Sequence, residues 1–173
     1  MVLLGLGSNV GDRMKYLDAA VRRLAVILTN TRLSRVFESR ALLPENATPD
    51  MNLPYLNMVL AADTTHTPQA LLADIKALEQ ALGRVQRQVW GPREIDIDIL
   101  AMDDLVLDTP ELSIPHPHML ARDFVLLPMA DVAADWLYPV AGEHYGKPLN
   151  DLVQLYGYGT SEHLRDTGVR LHV

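Results

Sequence analysis

The sequence predicts an α+β fold: an antiparallel sheet with helices mainly on one face and a C-terminal helical extension. Three observations predict it. Segments that read as strands and helices follow one another in the order β-α-β-β-α-β. The two helical stretches, residues 12–28 and 67–82, carry an apolar stripe or clear cap signals. Nearly half of the 173 residues are hydrophobic, which supplies one real core and not two.

Each element follows from its residues. Val2 to Leu6 is a short apolar strand that ends in Gly7-Ser8-Asn9. Met14, Leu17, Ala20, Val21, Leu24 and Leu28 recur at helical spacing over residues 12–28. Residues 31–38 read as a strand, and a loop rich in Pro, Asn and Asp runs from Leu43 to Pro54. Residues 55–63 read as another strand. Thr67 is placed to cap a helix with Pro68 at its first position and Gly83 as its stop. A polar loop bearing arginines covers 84–93, Ile95 to Ala101 is a strand, and Asp103-Asp104 is a turn. An extended piece near 111–114 and helices near 119–130 and 148–155 complete a single domain over residues 1–155. Helices between the first two strands and between the third and fourth give the split βαβ of ferredoxin-like sheets. The tail, residues 156–173, is rich in Gly and polar residues; disorder is the expectation for it, and no role is assigned.

Composition excludes several classes. The chain has no cysteine, so disulfides, zinc-thiolate sites and cysteine nucleophiles are ruled out. Its formal charge of −7 disfavours a nucleic-acid partner, whose phosphates are held by Lys and Arg. Met1 to Gly5 lacks the basic region of a signal peptide, and no apolar stretch is long enough to cross a bilayer. A soluble, cytoplasmic protein without membrane partners is expected.

The strongest chemical signal is Glu94-Ile95-Asp96-Ile97-Asp98-Ile99-Leu100. On a strand, Ile95, Ile97 and Ile99 share one face, and Asp96 and Asp98 share the other. Two carboxylates roughly 7 Å apart on one face repel each other unless a cation lies between them. Oxygen ligands alone suit Mg²⁺. The plainer reading is a solvated sheet face that tolerates two acids. Upstream, Arg84, Arg87 and Arg93 lie in a stretch without acids, and Gly91-Pro92 turns the chain just before Arg93. Guanidinium forks bind phosphate oxygens bidentately, and arginines beside metal carboxylates suit phosphoryl transfer. The plainer reading is a basic loop paired with surface acids.

Gly5-Leu6-Gly7-Ser8-Asn9-Val10-Gly11 has the spacing GxGxxxG, and no Walker lysine follows. It reads as a tight strand-to-helix turn with Asn9 or Asp12 as cap. In Pro115-His116-Pro117-His118, His118 reads as an exposed loop residue. His116 stays open between that role and a phosphate contact. Tyr55 and Asn57 follow the long loop, where an aromatic ring stacks on a flat heterocycle and an amide reads its edge. A core aromatic and a strand-edge Asn are the plainer alternatives.

Together these segments resemble the 6-hydroxymethyl-7,8-dihydropterin pyrophosphokinases of folate biosynthesis. The resemblance rests on Gly7-Ser8-Asn9, Tyr55-Leu56-Asn57, Glu79 with Gly83-Arg84, Trp90-Gly91-Pro92-Arg93 with Asp96 and Asp98, and Pro115-His116 with Arg122-Asp123-Phe124. It implies a ferredoxin-like monomer that transfers pyrophosphate from Mg-ATP to the hydroxymethyl group of the pterin and releases AMP. Asp96 and Asp98 would hold two Mg²⁺ ions and, with Arg84 and Arg93, form the catalytic set. Glu79, Arg84, Arg93, His116 and Arg122 would contact ATP. Tyr55 and Phe124 would sandwich the pterin, and Asn57 would bond its edge. Loops near 10–13, 40–54 and 84–93 would close over both substrates. Lys76 stands where the family often has Gln, and the segment from Ser39 to Tyr55 is longer than in short members. The competing classes are a Mg-dependent nucleotidyltransferase, which would release pyrophosphate, and a non-enzymatic ferredoxin-like binding module.

Overall fold

A computed structural model of the chain describes residues 1–43, 45, 48, 51–85, 91–156 and 164–173. In chain order the elements are β1 (Val2–Ser8), α1 (Arg13–Ile27), β2 (Thr29–Leu33), β3 (Arg35–Ser39), β4 (Tyr55–Asp63), α2 (Pro68–Ala81), β5 (Asp96–Met102), β6 (Leu107–Asp108), β7 (Ser113–Ile114), α3 (Asp123–Ala133), α4 (Leu149–Leu155) and β8 (Leu164–Arg170). The main sheet has the order β5-β1-β4-β3-β8, with β2 also paired to β4. Every pairing in it is antiparallel.

Strand alternation decides the layers. Val2, Leu4 and Leu6 of β1, Met58 and Leu60 of β4, and Ile97 and Ile99 of β5 face one side. There they pack against Leu17, Ala20, Val21 and Leu24 of α1 and Leu71, Ile75 and Leu78 of α2. Leu3, Val59, Ala61 and Leu100 face the other side and meet Val125, Leu126 and Met129 of α3 and Leu149, Leu152 and Val153 of α4. The two inter-strand helices thus share one face, and the C-terminal extension covers the opposite one. That cover is incomplete. Gly5 pairs in register with Val59 and Asp98, and Gly7 with Asn57 and Asp96. Two glycines and two acids leave a recess where apolar side chains would otherwise close the layer.

Local signals place the helices. Gly11, at φ +68°, reverses the chain after β1. The Asp12 carboxylate then caps α1 by accepting from the Lys15 N–H at 3.2 Å. Thr67 Oγ1 accepts from the Ala70 N–H at 3.3 Å, and Pro68 opens α2.

Some elements differ from expectation. The strand expected over 31–38 is two strands broken at buried Ser34. Its hydroxyl donates to the Arg35 carbonyl at 2.7 Å and accepts from the Val59 N–H at 2.8 Å. Residues 119–122 make turns, so α3 starts at Asp123. Of the extended piece at 111–114, only Ser113 and Ile114 pair, with Leu107 and Asp108.

The C-terminal tail, for which disorder is the expectation, contains β8 on the edge of the main sheet beside β3. Ion pairs and hydrogen bonds hold it. Arg35 bridges Asp131 of α3 at 3.3 Å and Asp166 of β8 at 2.5 Å. Arg170 reaches Asp131 at 3.0 Å, and Thr167 Oγ1 donates to the Val36 carbonyl at 2.6 Å. The strand is largely exposed, so it carries no apolar alternation. The rest of the tail from 157 to 163, and Arg87 and Trp90 of the arginine loop, lie outside the described residues. Among the described residues no helix is long and apolar enough to cross a membrane.

Leu60 is fully buried at the centre of the sheet. Leu60→Ala is expected to cost about 2–5 kcal/mol in urea unfolding while the far-UV spectrum is kept. A loss well below that range would mean that the layer under α1 and α2 is loosely packed.

Candidate active site

The site grows from β5. Ile95, Ile97 and Ile99 are buried under the helices, which turns Asp96 and Asp98 to the recess. Burial pushes the Asp98 carboxyl up to about 6, and the neighbouring charge of Asp96 adds to the effect. Asp96 is in a different position, because each of its oxygens is taken by a different arginine. Arg84 reaches Oδ1 at 2.8 Å, and Arg93 bonds Oδ2.

Both arginines are themselves held. The Glu79 carboxylate is 1% exposed. It accepts from the Ile97 backbone N–H at 2.8 Å, from Lys76 Nζ at 3.0 Å and from Arg84. Glu79 therefore sits behind Arg84 with its carboxylate engaged, and it does not line the cleft. Arg93 is fixed through its backbone. Its N–H donates to Asn9 Oδ1 at 2.7 Å, and its carbonyl accepts from the Asn9 N–H at 3.1 Å. Buried Ser8 donates through Oγ to the Glu94 carbonyl at 2.6 Å.

Gly7-Ser8-Asn9 thus differs from the expected turn. Gly5 and Gly7 lie within β1, Asp12 is the helix cap, and Ser8 and Asn9 form the mount for Arg93. No local pattern reveals this role, since the partners stand 84 and 86 residues apart in sequence.

His116 is half-buried, and its N–H donates to the Leu100 carbonyl at 2.8 Å. Burial first, then the charges of Arg122 and His118, lowers its imidazole to about 4. The ring is therefore neutral at pH 7. Nδ1 accepts from the His118 N–H at 3.2 Å, which leaves the ring proton on Nε2. His118 itself is exposed, as expected.

A cleft of about 330 Å³ joins these groups. Tyr55, Asn57, Arg93, Asp96, Asp98, His116, Arg122 and Phe124 all line it, with Ser39 to Leu42 along one rim. Tyr55 stands at the start of β4 and Phe124 at the start of α3. The Arg122 guanidinium lies 5.9 Å from the Phe124 ring centroid. Of the expected site residues, only Glu79 and Arg84 are set behind the lining, and Arg84 still touches Asp96.

The donor set can be tested for a cation. Asp96 and Asp98 offer carboxylate oxygens only, which suit a hard divalent ion. Among the described residues no three His, Cys, Asp or Glu side chains converge on one point. An ion held here would need further oxygen ligands from outside the protein, a habit that suits Mg²⁺. The residues present fit such an ion.

Asp98 also sets a pH dependence for the metal-free protein. Its folded value of about 6 lies above the ordinary 3.8. The unfolded chain therefore ionises first as pH rises. The resulting cost to folding is absent below the ordinary value, grows between the two, and is complete above the folded one. In EDTA at pH 7, Asp98→Asn is expected to be more stable than the parent, with the gap closing as pH falls from about 6 to about 4. Equal stabilities at pH 7 would show that this carboxylate pays no burial cost.

Residues 3–134 match the model of the 7,8-dihydro-6-hydroxymethylpterin-pyrophosphokinase family. A relative from Aquifex aeolicus, a 2-amino-4-hydroxy-6-hydroxymethyldihydropteridine pyrophosphokinase, is 43% identical over 150 residues, covering 87% of this chain and 88% of its own. One of the same name from Synechocystis is 36% identical over 143 residues, covering 82% of this chain and 70% of its own. The wild-type HPPK-DHPS of Plasmodium falciparum shares the fold at a TM-score of 0.64 and 15% identity. That match covers 94% of this chain, which spans about half of the other, 47%. The chain belongs to the 7,8-dihydro-6-hydroxymethylpterin-pyrophosphokinase family, whose members transfer a pyrophosphoryl group to hydroxymethyldihydropterin in folate biosynthesis.

Proposed function

We propose that Asp96 and Asp98 hold two Mg²⁺ ions with ATP, that Arg84, Arg93, His116 and Arg122 bind its phosphates, and that Tyr55, Asn57 and Phe124 bind 6-hydroxymethyl-7,8-dihydropterin. One observation carries this reading: a carboxylate with each oxygen held by a different arginine, beside a second, half-buried carboxylate, in a cleft lined by two aromatic rings and an amide. The ions, when bound, neutralise phosphate charge and polarise the phosphoryl group. Arg84 and Arg93 exchange the Asp96 carboxylate for phosphate oxygens, to which guanidinium forks are well matched. Glu79 serves the nucleotide through Arg84, by keeping that side chain beside β5. His116, neutral and protonated on Nε2, donates a hydrogen bond without adding charge. Tyr55 and Phe124 stack on the pterin, and Asn57 reads its edge. The pterin hydroxymethyl oxygen attacks the β-phosphorus. A new O–P bond forms, the bond between the β-phosphorus and the α-phosphate oxygen breaks, and AMP leaves as the hydroxyl proton is lost. In this reading the protein works as a cytoplasmic monomer. Its partners are the two small substrates, without nucleic acid or membrane.

The decisive assay incubates the protein with ATP, Mg²⁺ and 6-hydroxymethyl-7,8-dihydropterin and identifies the nucleotide released. AMP is expected; pyrophosphate would mark a nucleotidyltransferase instead. Asp96→Ala and Asp98→Ala are each expected to lower turnover by several orders of magnitude with the circular dichroism spectrum unchanged. Near-normal turnover in either would remove that residue from the metal site. Tyr55→Ala and Phe124→Ala are each expected to weaken pterin binding by ~1–3 kcal/mol, borrowing the range for base stacking. ATP affinity, titrated separately by fluorescence, is expected to change far less. Equal losses for both ligands would indicate a folding defect.

A further inference from the structure

Asn57 is buried between two strands at the floor of the cleft, 7% exposed. A primary amide carries two N–H donors and one carbonyl oxygen. On an unrestrained side chain it turns about its last torsion, a broad and soft rotation. Here one neighbour fixes that rotation and the other leaves the amide its room. On β3, the hydroxyl of Ser39 accepts from Asn57 Nδ2 at 2.9 Å, within a buried pair. On β1, Gly7 lies directly opposite Asn57 in register. A Cβ at Gly7 would stand 3.3 Å from Asn57 Oδ1, so any side chain there would crowd the amide oxygen.

Ser39 is the last residue of β3 and pairs with Tyr55, the first of β4. It is 6% exposed and lines the same cleft. One Asn57 N–H is committed to it, leaving Oδ1 and the second N–H for a ligand. An acceptor beside a donor, held in one plane, complements a ring edge that carries an N–H beside a carbonyl.

We infer that Ser39 is a positioning residue for substrate selection: its hydroxyl fixes the plane of the Asn57 amide, so that the amide meets the polar edge of the pterin ring already oriented. The inference rests on the assignment of Asn57 to the pterin. Ser39 itself does not touch the reacting phosphate. Its loss therefore acts on pterin binding, through the freedom it returns to Asn57, and not on the chemical step.

The test is a double-mutant cycle read by steady-state kinetics and pterin fluorescence. Ser39→Ala is expected to raise the pterin KM about tenfold, the equivalent of one buried hydrogen bond, with kcat and ATP affinity within about twofold of the parent. Ser39→Thr retains the hydroxyl and is expected to recover most of the pterin KM. In an Asn57→Ala background, Ser39→Ala is expected to add no further loss, because the group it acts through is gone. Three results would overturn the inference. The first is an unchanged pterin KM in Ser39→Ala. The second is a loss in Ser39→Ala that persists undiminished beside Asn57→Ala. The third is a parallel fall in kcat and in affinity for both substrates, which marks a general structural role. If Asn57→Ala itself leaves the pterin KM unchanged while AMP release continues, the assignment of Asn57 to the pterin fails, and the inference falls with it.

Discussion

The carboxylate of Glu79 holds the candidate site together. A buried charge is tolerated only when paired and hydrogen-bonded, and Glu79 meets that condition by taking in groups from three places. Lys76 comes from its own helix, the Ile97 N–H from the strand that carries the acids, and Arg84 from the loop between them. Removing any of these partners would leave charge or a donor unsatisfied in the interior. The helix, the strand and the start of the loop are therefore locked as one unit, and the Arg84 guanidinium lies against Asp96 as a result.

The recess above that unit follows from an omission. Apolar side chains cover one face of the sheet from β5 across β1 and β4 to Val36 of β3. On the other face β1 continues from Leu3 to Gly5 and Gly7, and β5 continues from Leu100 back to Asp98 and Asp96. A Cβ at Gly5 would meet the Leu100 side chain at 3.2 Å, and one at Gly7 would meet Asn57 and Tyr55. Glycine here serves space on the sheet face, not flexibility of the turn that follows. Arg93 and the Asn57 amide reach this floor from a neighbouring loop and strand.

Electrostatics divides the two acids. Asp96 is compensated by two guanidinium groups, whereas Asp98 is raised by burial and by its neighbour. Asn9 and Ser8 supply the rigidity this arrangement needs, by fixing the backbone of Arg93 and Glu94 where no regular element does so. The backbone of Arg93 is thus positioned from the end of the first strand of the chain.

Much of this was legible in the sequence. Period-two alternation in residues 95–99 is enough to turn Ile95, Ile97 and Ile99 one way and the aspartates the other, because a strand has no third direction. The caps at Asp12 and Thr67 were readable because cap chemistry is local. The motif residues were recognisable as a set, and the cleft brings most of them together. What the sequence did not contain was any contact between polar atoms distant in the chain. Asn9 looked like a turn residue until Arg93 was beside it, and nothing in chain order relates the Glu79 carboxylate to the Ile97 N–H. Strand β8 was invisible because ion pairs with Arg35 and Asp131 hold it, and ion pairs leave no periodicity in the residues that make them. Sequence by itself determined the elements and the faces of their side chains, since these depend on local geometry and on the period of apolar residues. Only the tertiary structure decided which polar groups meet, because a hydrogen bond is specified by two positions in space that chain order does not relate.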